Sequence, residues 1–297
     1  MRTNKILQPI YRKSVTILLK LGFGKYQSLH KISRTLRFHL RSDYAMVDGH
    51  KMFLDPLDSL ELSTTGKFEE FETQIVKKII HEGSTVIDMG ANIGYYTLIF
   101  ARLVGSEGKV FAFEPDPENF HILKKNLEIN NYQNVILEQK AVSNQSGKLR
   151  LYLDNKNKGA HTIFKPVDNA PSVEINAITL DDYFRNFKGK IDFIKMDIEG
   201  GEAEAVEGMS SILNKDDIII MTEFNPSVLK KIGKESLVCI NLLKRYDFDI
   251  YHIDSKNKKL VPIDFKEFLQ IYNPESKHFT NLLCIKGRFD ITKLDNW

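Results

Sequence analysis

The chain has 297 residues, 42% of them hydrophobic and 27% charged. That composition excludes a disordered or fibrous chain and leaves room for one large domain with a small addition, or two domains. The net charge of +3 hides an asymmetry: residues 1–42 hold ten basic residues and no acidic one, so the remainder carries 32 basic against 39 acidic, a net of −7.

Two distant cysteines, Cys239 and Cys284, argue for a reducing compartment and against a disulfide framework or a structural zinc site. No apolar run approaches the roughly 18 residues that a membrane-spanning helix needs, and Val15–Leu19 lacks the flanks of a signal peptide. A cytoplasmic protein is expected, with the membrane surface as one setting. Segment 1–42 reads as a basic helical extension, divided from the body at 45/46. Three roles compete for it: packing on the body, peripheral membrane contact, or a nucleic-acid arm. Its aromatics are few, which disfavours nucleic acid.

Short β-like pieces are expected over 44–64, then a helix over 68–80 from the spacing of Phe68, Phe71, Ile75, Ile79 and Ile80. Strand and helix then alternate: strand 85–88, helix 93–104, strand 109–113, helix 117–130 and strand 134–138. Residues 140–178 break the pattern and read as an inserted hairpin or loop. After Thr179 as an N-cap come strand 191–197, helix 201–213, strand 217–223, helix 227–245 and strands 248–253 and 281–286. The alternation predicts an α/β, Rossmann-like, doubly wound and mostly parallel sheet over 46–297, binding ligands at the carboxyl ends of its strands.

The stretch Asp88-Met89-Gly90-Ala91-Asn92-Ile93-Gly94 is a strand, a glycine turn and a helix start. Glu114 ends the next strand, where a carboxylate takes both ribose hydroxyls of a nucleoside. A pyrophosphate turn wants glycine where Asn92 stands, and Asp88 would repel phosphate. Both suit a nucleoside carrying a sulfonium and an ammonium, S-adenosylmethionine.

These blocks, with Asn126–Asn130, Ala141-Val142-Ser143, Lys195–Glu202 and Gly66–Glu69, resemble the FkbM-type methyltransferases over residues 50–225. The resemblance implies a class I methyltransferase fold of seven strands, the last antiparallel. It also implies S-adenosylmethionine-dependent methyl transfer, commonly to a hydroxyl of a sugar, glycolipid or natural product. Carried over, Asp88, Gly90 and Gly94 would line the methionine end, Asn92 the turn, Glu114 the ribose and Ala141 the adenine, with Glu69 closing over the cofactor.

For chemistry, Asp197 is expected as the base or its orienter, with Glu199 beside it. Glu199 and Glu202 would hold substrate hydroxyls or else cap the helix at Gly201, and His161 is a substrate-binding group or an alternative base. No metal is expected, because no third carboxylate stands at a telling spacing. Two other readings compete: a nucleic-acid methyltransferase using the basic arm, and a non-catalytic cofactor-binding partner protein. Glu223-Phe224-Asn225-Pro226 is a poor match to the Asn-Pro-Pro-Tyr-like strand end of amino-methylating enzymes.

Overall fold

The computed structural model describes residues 43–166, 170–215 and 217–294. The basic segment 1–42, and every expectation for it, lies outside the described residues. Among the described residues no helix is long and apolar enough to cross a membrane. The chain divides into two compact units between Phe68 and Glu69.

The first unit carries a hairpin of β1 (Tyr44–Val47) and β2 (His50–Phe53), followed by one helical turn, α1 (Leu62–Thr65). Asp48 and Gly49 join the strands at φ of 47° and 84°. Positive φ at both central residues is what a two-residue hairpin turn requires.

The second unit begins with α2 (Glu70–Ile79), then alternates β3 (Thr85–Met89), α3 (Tyr95–Val104), β4 (Lys109–Phe113), α4 (Pro117–Ile129) and β5 (Val135–Glu138). An inserted sheet follows: β6 (Ala141–Val142), β7 (Gly147–Tyr152) and β8 (Ser172–Ile178), in the order β6-β8-β7. It has its own small core of Ala141, Leu151, Ile175 and Ala177, so the expected hairpin is present with a third strand added. One turn, α5 (Leu180–Tyr183), starts at Thr179, whose hydroxyl accepts the Asp182 N–H.

The remainder runs β9 (Phe193–Met196), α6 (Glu202–Glu207), α7 (Ser210–Leu213), β10 (Ile218–Phe224), α8 (Pro226–Lys231) and α9 (Val238–Arg245). It closes with β11 (Asp249–Asp254), β12 (Lys259–Pro262), α10 (Phe265–Ile271) and β13 (Thr280–Lys286). The long helix expected over 227–245 is two helices. Gly233 sits at φ 74° between them, a conformation that ends a helix and suits glycine. The helix expected over 201–213 is likewise two, broken at Gly208-Met209.

The main sheet has the order β12-β11-β13-β10-β9-β3-β4-β5. Its central five strands, β10 to β5, are parallel, and β13 enters antiparallel against β10. That is the expected seven-strand arrangement with one strand more. β12 pairs antiparallel with β11 and is short, exposed and closed by Pro262, so its sequence carries little strand signal.

Alternation along the strands builds two cores. Ile87, Phe111, Ile194 and Ile220 face one side with Val206 and Leu243. Phe193 faces the other and meets Phe100 of α3, ring centroids 5.8 Å apart. Burial of each such side chain contributes about 1.5–3 kcal/mol.

Candidate active site

Strand order reverses at β3, which has β4 on one side and β9 on the other. Ligands bind such sheets at that point, beyond the carboxyl ends. Here the chain leaves β3 through Gly90, at φ 78°. The Gly90 and Ala91 N–H groups both donate to the Phe113 carbonyl at 3.0 Å, tying the turn to the tip of β4. A Cβ on Gly90 would stand 1.9 Å from the Asp197 carbonyl oxygen, so the two strand tips close on each other only because that atom is missing. Asn92 follows at φ 52°, its side-chain oxygen accepting the Ile93 N–H at 2.7 Å; asparagine tolerates this region better than other non-glycine residues.

Glu114 is buried and accepts the Asn92 N–H on one carboxylate oxygen (2.7 Å) and the Asp116 N–H on the other (2.8 Å). Burial pushes its pKa up to about 8. Each oxygen keeps a lone pair for a further donor. The cavity beside it is lined by Gly90, Asn92, Glu114, Ala141, His161 and Glu199, among others.

Not every expected cofactor residue reaches that cavity. Asp88 is buried beneath the turn, with its carboxylate accepting the Thr97 hydroxyl at 2.6 Å, and burial raises its pKa to about 6. Gly94 starts α3, and a Cβ there would meet Leu123 at 2.5 Å, so helix packing requires the glycine. Glu69 accepts the Tyr96 hydroxyl and the Asn281 amide, both at 2.8 Å, and burial raises its pKa. It lines a different hollow, with Tyr272 and Phe279.

Asp197 follows β9 and lines the cavity with Glu199. Burial, then the Asp197 charge, pushes the Glu199 pKa to about 8. Glu202 does not line it: its carboxylate accepts the Ile198 and Gly200 N–H groups at 3.1 and 3.4 Å, bracing the loop that leads into α6. Burial sets its pKa at about 7. Asn225 is also turned inward, its side-chain oxygen accepting the Val228 N–H at the start of α8.

Sequence reasoning missed three residues. Lys195 lies in β9 facing the same side as Asp197; it is 4% exposed, 2.9 Å from the Asp197 carboxylate and 4.7 Å over the Tyr96 ring. Burial alone would lower its pKa, but Asp197, Glu69 and Asp88 hold it above the ordinary lysine value. A lysine inside an apolar strand, two residues before a carboxylate, was the available signal. Glu223 near the end of β10 is the second: its carboxylate, with those of Asp197 and Glu199, falls within 4.8 Å of one another. The ground on which a metal was not expected, the lack of a third carboxylate, therefore falls; these three oxygens are the ones that could hold a divalent ion. The third is Asn119 of α4, on the cavity wall.

The family model described as "Methyltransferase FkbM domain" matches residues 88–250, more than half of the chain. Among curated relatives, Methyltransferase 1 of Beauveria bassiana is 23% identical over 55% of this chain and 74% of its own length. Hexuronic acid methyltransferase AglP of Haloferax volcanii is 27% identical over 58% of this chain and 72% of its own. A solved FkbM methyltransferase of Methylobacillus flagellatus aligns with a TM-score of 0.41 at 15% identity, over 77% of this chain and 53% of that one.

The doubly wound sheet with its antiparallel β13 and the cavity at the β3 switch point define an S-adenosylmethionine-dependent methyltransferase. The chain belongs to the FkbM methyltransferase family. The residues present fit the cofactor. Two buried polar atoms of residues that line the cavity, Asn119 Oδ1 and His161 Nε2, have no hydrogen-bond partner among the described residues.

Proposed function

We propose that the protein O-methylates a hydroxyl of a sugar or glycoconjugate. The observation that carries this reading is the group of three carboxylates, Asp197, Glu199 and Glu223, beside the Gly90 turn. Methyl transfer to a hydroxyl needs an acceptor for the hydroxyl proton and hydrogen-bond acceptors for neighbouring hydroxyls, and a carboxylate cluster supplies both. The hexuronic acid specificity in the name of the Haloferax volcanii relative agrees with a sugar acceptor.

When bound, S-adenosylmethionine supplies an electrophilic methyl on a sulfonium. The chain's own residues divide the remaining work. Lys195 stays an ammonium, so it is not the base; its Nζ donates to the Asp197 carboxylate and holds it in place. Asp197 orients the acceptor hydroxyl, and Glu199, with its raised proton affinity, takes the proton. A base is most effective when its pKa lies near the working pH.

Two substitutions test the division. Asp197→Asn lowers kcat by about two to four orders of magnitude while the Kd for S-adenosylhomocysteine stays within a few-fold of wild type. Glu199 must be ionised to accept a proton, so kcat/KM climbs as pH passes about 8, and Glu199→Gln removes that climb. Unchanged turnover in both variants would refute the assignment. With Lys195 supplying the positive charge, exhaustive chelation leaves transfer intact. Loss restored by magnesium would instead give the three carboxylates to a metal. The acceptor class is read by incubating glycan and glycolipid extracts with labelled cofactor; label appearing only in RNA or protein would overturn it.

A further inference from the structure

His161 is one of eight histidines in the chain and sits in the insertion. Its side chain is 6% exposed. Its Nδ1 accepts the Asp154 N–H at 2.9 Å, so in the neutral ring the proton stands on Nε2. Burial lowers the ring's pKa and keeps it neutral. That Nε2–H is buried without a hydrogen-bond partner, 3.9 Å from the Asp116 carboxylate. Asn119 offers the complementary group. Its amide nitrogen donates to the Lys158 carbonyl at 2.9 Å, which leaves Oδ1 as a buried acceptor with no partner.

Both residues meet Asp116: its carboxylate stands 3.9 Å from His161 Nε2, and its Oδ1 accepts the Asn119 backbone N–H at 2.8 Å. Both residues line the cavity that Glu114 lines. The loop bearing His161 is fastened on both sides. Lys158 pairs with Glu118 at 2.8 Å, and the Thr162 hydroxyl donates to the Glu199 carbonyl at 2.9 Å.

A buried polar atom without a partner is costly, and a donor and an acceptor left open on residues of one cavity wall call for a ligand edge with the opposite pattern. Glu114 stands where a ribose is held, and the orphan pair lies just beyond it, around Asp116. From these placements we infer that Asn119 and His161 read the 6-amino edge of the cofactor's adenine. Asn119 Oδ1 accepts from the amino group, and His161 Nε2–H donates to the adjacent ring nitrogen. His161 thereby belongs to cofactor recognition instead of proton transfer or acceptor binding. The inference rests on the cofactor and is independent of which acceptor is methylated.

The test is titration calorimetry on the full chain with S-adenosylhomocysteine and with S-inosylhomocysteine, in which an oxo group replaces the 6-amino group and the adjacent ring nitrogen carries hydrogen. Wild type binds the adenosyl form at least ~10-fold more tightly, because the inosyl edge presents acceptor to acceptor and donor to donor. Asn119→Leu and His161→Phe each collapse the ratio of the two Kd values towards one. The ratio cancels any general loosening of the fold, and the wild-type ratio alone decides if a variant fails to fold. Equal wild-type affinities, or an unchanged ratio in both variants, would overturn the inference and leave the pair to local solvation.

Discussion

Gly90→Ala abolishes cofactor binding, with the Kd for S-adenosylhomocysteine rising at least ~100-fold. The new Cβ would lie 1.9 Å from the Asp197 carbonyl oxygen and 3.0 Å from its carbonyl carbon, and both are backbone atoms. No rotamer relieves such a collision, so either β3 and β9 part at their tips or the turn rebuilds. Either movement disturbs the paired N–H donations from Gly90 and Ala91 to Phe113 and carries Asp197 away with it. The left-handed backbone adds about 1–2 kcal/mol for a residue with a Cβ. Gly83→Ala separates the two effects, because Gly83 has φ 83° yet nothing within 4 Å of its added Cβ. That control loses about 1 kcal/mol of stability and keeps its affinity. Gly90→Ala binding within a few-fold of wild type would show that the turn is not the cofactor's cradle.

The glycine turn was legible because it is local. Asp88, Gly90, Asn92 and Gly94 fall within seven residues, Glu114 caps the next strand, and a strand–turn–helix repeat needs no long-range knowledge. Local reading could not see what else Asp88 and Gly94 do: Asp88 accepts the Thr97 hydroxyl, and Gly94 makes way for Leu123. Glu69 is expected over the cofactor by resemblance alone; its bonds to Tyr96 and to Asn281, a partner 212 residues away, could not be read locally. Distance in sequence also hid Glu223, although its place near a strand tip matched that of Asp88 and Glu114. The split of helix 227–245 was readable at Gly233. By contrast, β12 was not, because an exposed edge strand lacks the alternation that burial imposes. His161 was visible only as a loop histidine. Its unpaired Nε2 is a property of tertiary packing and has no sequence signature.

Lys195→Met unbalances a buried charge group and is expected to lower Tm by about 10 °C at pH 8. The lysine stands among Asp197, Glu69 and Asp88, and its ammonium is what keeps those buried carboxylates tolerable. Methionine fills the same strand position, so the loss is electrostatic and not a cavity. Removing one partner of a buried charge group costs about 3–5 kcal/mol, since the remaining charges keep their desolvation penalty. The pH dependence gives the mechanism away. Asp88 already holds its proton up to about pH 6, and Glu69 is raised as well; without the ammonium both rise further. A carboxyl whose folded pKa lies above its unfolded one contributes stability at low pH and loses it as pH climbs through the folded value. The Tm difference between wild type and Lys195→Met is therefore small at pH 5 and widens above about pH 6. Differential scanning calorimetry at pH 5 and pH 8 reads this directly. An equal drop at both would mean that Lys195 acts through packing against Tyr96 and not by balancing the buried carboxylates.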